Sequence, residues 1–420
     1  MAPRVATGPR SLALDVVIRV ARGAYLTPAL DGALRGAELS RRERALVTDL
    51  AYGAVRNRTW LDAALAPNLR DPGGLPLDVR EALRLGAYER LVRGTPAHAV
   101  ANEWVGEIRR RRPGLSGLAN AVLRRVAPPR APDPATAASL PPWLYARFED
   151  LLGEDAAAAT AAMRAPAPLW LLAYADDAAE RLRDEGCEVT PGPLPNTLRV
   201  RPSAPLAELR AYQDGAVQPQ NPASAQVART VAPLAGTRVL DLCSGRGVKA
   251  ALLAATGADV TAVEQGADKI ARAERNLARL GLHVRHHRAD LRTVPAGLPP
   301  APRVLLDAPC SGTGTLRAHP EIPLRLREED VAGLTELQDR LLDTAATLTA
   351  PQGTLTYAVC SLLRAEGPAR MEAFLARHPE FTLAPLDPPL PHHAHDTGVT
   401  ILPLGGLDGF YLAQLRRGST

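Results

Sequence analysis

The apolar residues of this chain change their period once, and that change limits the kinds of domain the chain can build. From residue 10 to about 127 they recur at three- and four-residue spacing, in Leu12–Val20, Ala45–Val55, Val79–Leu91 and Ala99–Ile108. That spacing predicts amphipathic helices with one buried face each. Ser40-Arg-Arg-Glu43, just ahead of Ala45-Leu46-Val47, adds a capping box and so a helix start. Past Gly215 the pattern becomes strand, helix, strand, helix. The runs are Arg238–Leu242, Val248–Ala255, Asp259–Val263, Ala267–Leu280, Val284–His287, Val304–Leu306, Glu328–Leu348, Thr354–Val359, Pro368–Arg377 and Gly409–Leu415. Such alternation predicts an α/β domain with a doubly wound, mainly parallel, Rossmann-like sheet.

The proline-rich stretch Val126–Pro134 is the clearest boundary between the two patterns. Three regions follow: an all-α domain over 1–127, a middle region over 128–215 and the α/β domain over 216–420. The middle region holds the linker, an alanine-rich helix ending near Met163 and a small α+β segment. That segment has strand-like Leu169–Tyr174 and Thr197–Val200 around a helix at Ala178–Glu185. A chain of 420 residues exceeds one ordinary core, in keeping with several domains.

No apolar stretch is long enough to span a bilayer, and Asp15 and Arg19 interrupt Leu12–Val20, so no signal peptide is read there. A cytoplasmic location is expected. Four cysteines, Cys187, Cys243, Cys310 and Cys360, make neither a disulfide framework nor a paired metal-ligand spacing, so no metal is expected. His392-His-Ala-His395 lacks cysteine or carboxylate partners and reads as a loop near the active-site rim. The net charge of +5 and pI of about 9.2 favour a polyanionic partner. Arg109–Arg112 and Arg124-Arg125 concentrate that charge, as solvated helix ends or as contacts to RNA phosphates. Lys249 and Lys269 are the only lysines, so a compact amine inside a glycine-containing loop at 249 carries information.

Cys310 and Cys360 each follow a short apolar run, Val304–Leu306 and Leu355–Val359, where strands of an open sheet end and chemistry is placed. A thiol there can attack an electron-poor carbon once its pKa is lowered. Asp241-Leu-Cys-Ser-Gly-Arg-Gly-Val-Lys249 leaves the first strand of the sheet and opens its first helix. Its small residues admit a ligand to the backbone, and the helix start offers free amides. Glu264 ends the next strand, where a carboxylate can hold both hydroxyls of a ribose, and Asp290 ends the third, suited to an adenine amino group. The candidate cofactor set is Asp241, Cys243, Ser244, Gly245, Arg246, Gly247, Lys249, Glu264, Asp290 and Asp307. A dinucleotide needs a cleaner glycine run, whereas acidic Asp241, Glu264, Asp290 and Asp307 suit the cationic sulfonium of S-adenosylmethionine.

Asp307-Ala-Pro-Cys-Ser-Gly-Thr-Gly314 and Tyr357-Ala-Val-Cys-Ser361 with Glu366 resemble the two cysteine motifs of the Sun-type family of RNA cytosine-C5 methyltransferases. Arg317-Ala-His-Pro-Glu-Ile322, Gln338, Asp408-Gly-Phe-Tyr411 and Gln218-Pro-Gln-Asn-Pro-Ala-Ser224 resemble its flanking signatures. Leu85-Gly-Ala-Tyr88, His98, Asn102-Glu103 and Asn120-Ala-Val-Leu-Arg124 resemble a NusB-like RNA-binding module, which points to the small-subunit ribosomal RNA branch. The resemblance implies methyl transfer from S-adenosylmethionine to carbon 5 of a cytosine. Cys360 is then the nucleophile, Asp307 the partner of ring N3, Cys310 the residue that helps resolve the adduct, and Lys249 a neighbour of the base or of Asp307.

A base that must leave its stack implies single-stranded or loop RNA. A monomer is expected. The family's loop usually reads Ala-Ala-Pro-Gly-Gly-Lys, and Ser244-Gly-Arg-Gly-Val-Lys249 departs from it. So do Asn221, where aspartate is common, and Gly367, where asparagine usually follows the glutamate. The alternatives are an enzyme in which the Pro309-Cys310 cysteine attacks, one acting on tRNA or another RNA, and a non-catalytic RNA-binding assembly factor.

Overall fold

Helical spacing in the first third of the chain becomes a layer of packed helices. In the computed structural model, which describes residues 8–419, these are Pro9–Ala21, Leu26–Arg35, Arg41–Arg56, Arg58–Leu65, Leu77–Leu91, Ala97–Arg111 and Ser116–Arg125. The capping box forms: Glu43 N–H donates to Ser40 Oγ, and Ser40 N–H donates to Glu43 Oε2 at 2.9 Å. Trp104 is fully buried, and its Nε1–H donates at 2.9 Å to Glu89, whose other carboxylate oxygen takes Arg10 at 2.6 Å. Leu26–Arg35 and Arg58–Leu65 are too short for the sequence period to reveal.

Residues 8–149 form one compact unit together with 163–166 and 316–326. The last of these segments carries the Arg317–Ile322 signature, and it is fastened within the helical unit. Glu321 Oε1 accepts from Leu26 N–H at 3.2 Å, and Arg56 donates to the Arg317 carbonyl at 2.9 Å.

The second unit comprises 150–162, 167–315 and 327–419. The alanine-rich stretch, whose residues fall partly in each unit, is two helices, Pro142–Leu152 and Asp155–Met163, parted at Gly153, which sits at φ +53°. Four short strands form an antiparallel sheet in the order β2-β3-β1-β4: β1 (Leu169–Ala173), β2 (Glu188–Pro191), β3 (Thr197–Arg201) and β4 (Val217–Pro219).

The large sheet contains β5 (Arg238–Leu242), β6 (Asp259–Glu264), β7 (Arg285–Arg288), β8 (Ala301–Asp307), β9 (Thr349–Val359), β10 (Phe381–Ala384), β11 (His392–His395), β12 (Gly398–Ile401) and β13 (Phe410–Arg417). Its order is β11-β12-β13-β9-β8-β5-β6-β7, with β10 pairing β13. The strands from β9 to β7 are parallel to one another; β10 to β13 add an antiparallel flank. This is the α/β, mainly parallel architecture expected from the alternation, preceded by an all-α region.

His392–His395 is not a loop. It is the edge strand β11, paired with β12 from His392↔Ile401 to His395↔Gly398. His395 Nε2 lies 2.8 Å from Thr400 Oγ1, so cross-strand pairing is what orders this segment. No helix among the described residues is long and apolar enough to cross a membrane.

Candidate active site

The sheet order turns back on itself at the β5–β8 pair, since β6 and β7 lie on one side and β9 on the other. Open α/β sheets leave a crevice at the carboxyl ends of the strands at such a point. A cavity of about 560 Å³ opens there, lined by Cys243, Glu264, Asp290, Asp307, Cys310 and Cys360 from the strand ends. Leu291, Leu337 and Leu341 give it apolar walls. Volume, acidic rim and apolar wall together suit a small amphipathic cation.

Each strand end has a local reason for its shape. After β5 the chain turns through Cys243, at φ +59°, and Gly247, at φ +73°, before the helix Val248–Ala255. A Cβ at Gly247 would lie 2.9 Å from the Ala273 Cβ, so only glycine fits this close approach. Glu264, at the end of β6, is nearly buried and braces that turn. Its Oε2 accepts from Gly245 N–H at 3.0 Å, and its Oε1 accepts from Gly266 N–H at 2.9 Å and from Lys269 at 3.2 Å. Oε2 thus retains an acceptor position for a ligand hydroxyl. Asp290, beyond β7, is held by Arg292 at 2.5 Å, and that hydrogen bond keeps its carboxyl below the usual range.

Lys249 Nζ donates to Asp307 Oδ2 at 2.6 Å and lies 5.3 Å from the centre of the Phe410 ring. Burial works against the ammonium, but the charge and hydrogen bond of Asp307 outweigh it and the Lys249 pKa is raised. The thiols of Cys310 and Cys360 stand 3.4 Å apart. The hydrogen bond to Cys360 and then burial push the Cys310 thiol well up, with the charge of Glu366 adding to the effect. Cys243 is pushed up to about 12, first by burial and then by Asp307. It is an inert thiol by that measure.

The expected residues therefore divide. Cys243, Glu264, Asp290, Asp307, Cys310 and Cys360 meet at one cavity, with Lys249 bonded to Asp307. Asp241, Ser244, Gly245, Arg246 and Gly247 do not line it. Asp241 lies fully buried, and burial followed by the Asp307 charge pushes its carboxyl up to about 7.

Lys269 and Arg292, which no motif singles out for this site, set the acidic rim's partners. Phe410, Gln338 and Glu366 fall within the family-like segments, but the sequence gives them no role. Among the described residues no group of three or more histidine, cysteine or acidic side chains is arranged to hold a metal ion.

Residues 228–416 match the family described as 16S rRNA methyltransferase RsmB/F, and residues 7–128 match the NusB family. The chain is 46% identical over 410 residues to ribosomal RNA small subunit methyltransferase B of Thermus thermophilus, covering 97% of this chain and 98% of that protein. It is 36% identical over 389 residues to the enzyme of the same name from Xylella fastidiosa, covering 90% and 89%. The crystal structure of PH0851 shares the fold over 99% of this chain and all of that one, with a TM-score of 0.81 at 22% identity. That of NSun6 from Pyrococcus horikoshii with SFG superposes over 66% of this chain and 98% of its own, with a TM-score of 0.58 at 17% identity. Paired cysteine turns at the end of a methyltransferase sheet, and relatives matched along nearly their whole length, have one reading: the chain belongs to the 16S rRNA methyltransferase RsmB/F family.

Proposed function

We propose that this chain methylates carbon 5 of a cytosine in small-subunit ribosomal RNA, through a covalent bond between Cys360 and the base. The observation that carries the reading is the pair of thiols 3.4 Å apart in the lining of one cavity, together with Asp307, which is ion-paired with Lys249. S-adenosylmethionine is the methyl donor, and it supplies an electrophilic methyl group on a sulfonium. Glu264 and Asp290 are the residues to hold its nucleoside part, with Leu291, Leu337 and Leu341 along the apolar side.

Carbon 5 of an unmodified cytosine is too weak a nucleophile to take a methyl group unaided. Addition of the Cys360 sulfur to carbon 6 moves electron density onto carbon 5. The proton that the Cys360 thiol gives up on addition passes through Asp307 to ring N3, with Lys249 holding Asp307 in place, so the charge that addition creates is offset. Once carbon 5 carries the methyl group, the carbon–sulfur bond must break and the carbon 5 proton must reach a base, which is the Cys310 sulfur after it has protonated its neighbour, so both cysteines end as thiols. Cys310, kept as a thiol beside the departing sulfur, can hand it a proton.

The relatives' names and the NusB-like unit support ribosomal RNA over tRNA. An extruded base favours a single-stranded or loop site.

The test is covalent trapping on a small-subunit rRNA fragment carrying 5-fluorocytosine, with S-adenosylmethionine present. The wild type and Cys310→Ser should form a denaturation-resistant complex, and Cys360→Ser should form none. Loss in Cys310→Ser with retention in Cys360→Ser would reverse the assignment. Bisulfite sequencing of rRNA from cells lacking the protein identifies the cytosine, and an unchanged map would remove the ribosomal reading.

A further inference from the structure

Glu366 has no exposed surface and, among the described residues, no cationic partner, yet its carboxylate is fully engaged. Oε1 accepts from the backbone N–H of Ser311 at 2.9 Å and from Gln338 Nε2 at 3.0 Å. Oε2 accepts from Ser311 Oγ and from Ser361 Oγ, each at 2.5 Å. Ser311 is the residue after Cys310, and Ser361 is the residue after Cys360. One buried carboxylate is therefore tied to the position that follows each thiol.

The surroundings extend the same clasp. Gln338 Nε2 also donates to the carbonyl of Pro309, the residue before Cys310. Thr313 Oγ1 lies 3.2 Å from both Ser311 Oγ and Ser361 Oγ and accepts from Leu362 N–H at 2.9 Å. The Glu366 carbonyl accepts from Tyr357 Oη at 2.7 Å, which anchors it to the strand that leads into Cys360. Cys310 and Cys360 lie on separate turns 50 positions apart in sequence. The β8–β9 pairing and the Gly314 N–H to Cys360 carbonyl bond bring these turns together, and the clasp fixes the residues that flank each sulfur.

The geometry points to Glu366 as the positioning residue for both thiols: it clasps the two cysteine turns so that attack at carbon 6 and release of the adduct occur on one base. This rests on the reading that Cys360 and Cys310 serve the same pyrimidine. Misplacing a reacting group by about 1 Å can cost on the order of 100-fold in rate without touching substrate affinity.

A glutamine at 366 can keep the clasp, because its carbonyl oxygen can serve Ser311 N–H and Gln338 while its amide donates to the two serine hydroxyls, which can reverse their roles. An alanine cannot.

Two measurements on the full chain separate this inference from the reading beneath it. The first is the rate at which diamide joins Cys310 to Cys360, read by peptide mass mapping, which reports on thiol placement whatever the substrate. Glu366→Ala should slow it at least about 10-fold relative to the wild type, and Glu366→Gln should stay within about 3-fold; these factors correspond to roughly 1.4 and 0.7 kcal/mol.

The second is methyl transfer to small-subunit rRNA. Here Glu366→Ala should lose about 100-fold in kcat with KM for RNA within about 2-fold, and Glu366→Gln should recover most of it. If Glu366→Ala does not fold, the Ser311→Ala/Ser361→Ala double variant takes its place, with the same losses expected. Thiol pairing and kcat both unchanged in the alanine variants would overturn the clasp. A wild type that fails to trap 5-fluorocytosine RNA, with thiol pairing still dependent on Glu366, would instead overturn the cytosine chemistry.

Discussion

Lys249 and Asp307 face each other with side chains only 12% and 27% exposed, over the ring of Phe410. In a chain with 50 Lys+Arg and only two lysines, an amine at this spot is a choice of shape. A guanidinium is broader, planar and forked, and cannot occupy the site of a point ammonium between carboxylate and ring. Lys249→Arg is therefore expected to lower the rate of adduct formation on 5-fluorocytosine RNA by about 100-fold, though charge is kept. Adduct formation at the wild-type rate would show that charge alone suffices.

Behind this pair, Asp241 has its carboxyl pushed up to about 7 by burial and the Asp307 charge. The sign follows from linkage. An unfolded aspartate releases its proton near pH 4, whereas the folded one holds it to about 7, so stability from this group is full below pH 4 and is lost as pH rises through 7. Each pH unit in that window is worth about 1.4 kcal/mol for one group. Asp241→Asn should remove that slope: between pH 5 and 8 the wild type loses a few kcal/mol relative to the variant in urea denaturation. Parallel curves for the two proteins would refute a protonated Asp241.

At the scale of elements, the cysteine turns are built by close backbone approach. Gly314 N–H donates to the Cys360 carbonyl at 2.9 Å, and its own carbonyl accepts from Gly409 N–H at 2.8 Å. A Cβ on Gly314 would fall 2.0 Å from the Gly409 carbonyl oxygen. Gly314→Ala is thus expected to cost about 1–3 kcal/mol in denaturant and to slow methyl transfer by displacing the Cys360 turn. An unchanged midpoint would show that the junction with β13 is soft.

This junction also marks where the sequence stops being legible. Four of the parallel strands, β5, β6, β8 and β9, could be read because each is an apolar run with a chemically distinctive residue at or near its end: Asp241 before the glycine loop, Glu264, Asp307, Cys360; β7, Arg-His-His-Arg, is polar. Of the antiparallel flank only β13 could, as the run Gly409–Leu415; β10, β11 and β12 could not. β11 is His-His-Ala-His, polar and without alternation, and it is a strand because β12 pairs with it. β9 begins at Thr349, five residues before the strand expected from Thr354, through Pro351, Gln352 at φ +61° and Gly353, which read as a turn. The Glu366 clasp joins residues 309, 311, 338 and 361 across three elements, and no local period registers an arrangement of that kind.

For the molecule as a whole, the excess of five positive charges matters less than which arginines remain uncommitted. The Arg109–Arg112 run invites a reading as a phosphate patch, but most of it is spent internally: Arg110 pairs with Glu107, Arg111 with Asp15 at 2.7 Å and Arg112 with Asp78 at 3.2 Å. Arg109 and Arg125 are exposed and have no ion pair among the described residues. Removing one arginine that neutralises a phosphate of single-stranded RNA lowers the slope of log affinity against log salt by about 0.7. The Arg109→Ala/Arg125→Ala variant should therefore bind rRNA fragments more weakly at low salt, with a slope shallower by about 1.4. Arg111→Ala, by contrast, removes a partly exposed pair worth under about 1 kcal/mol of stability and should leave the slope unchanged. Titration of a labelled rRNA fragment at several salt concentrations decides between them. Should Arg111→Ala flatten the slope and the double variant keep it, phosphates are met by arginines that exchange their internal partners for RNA.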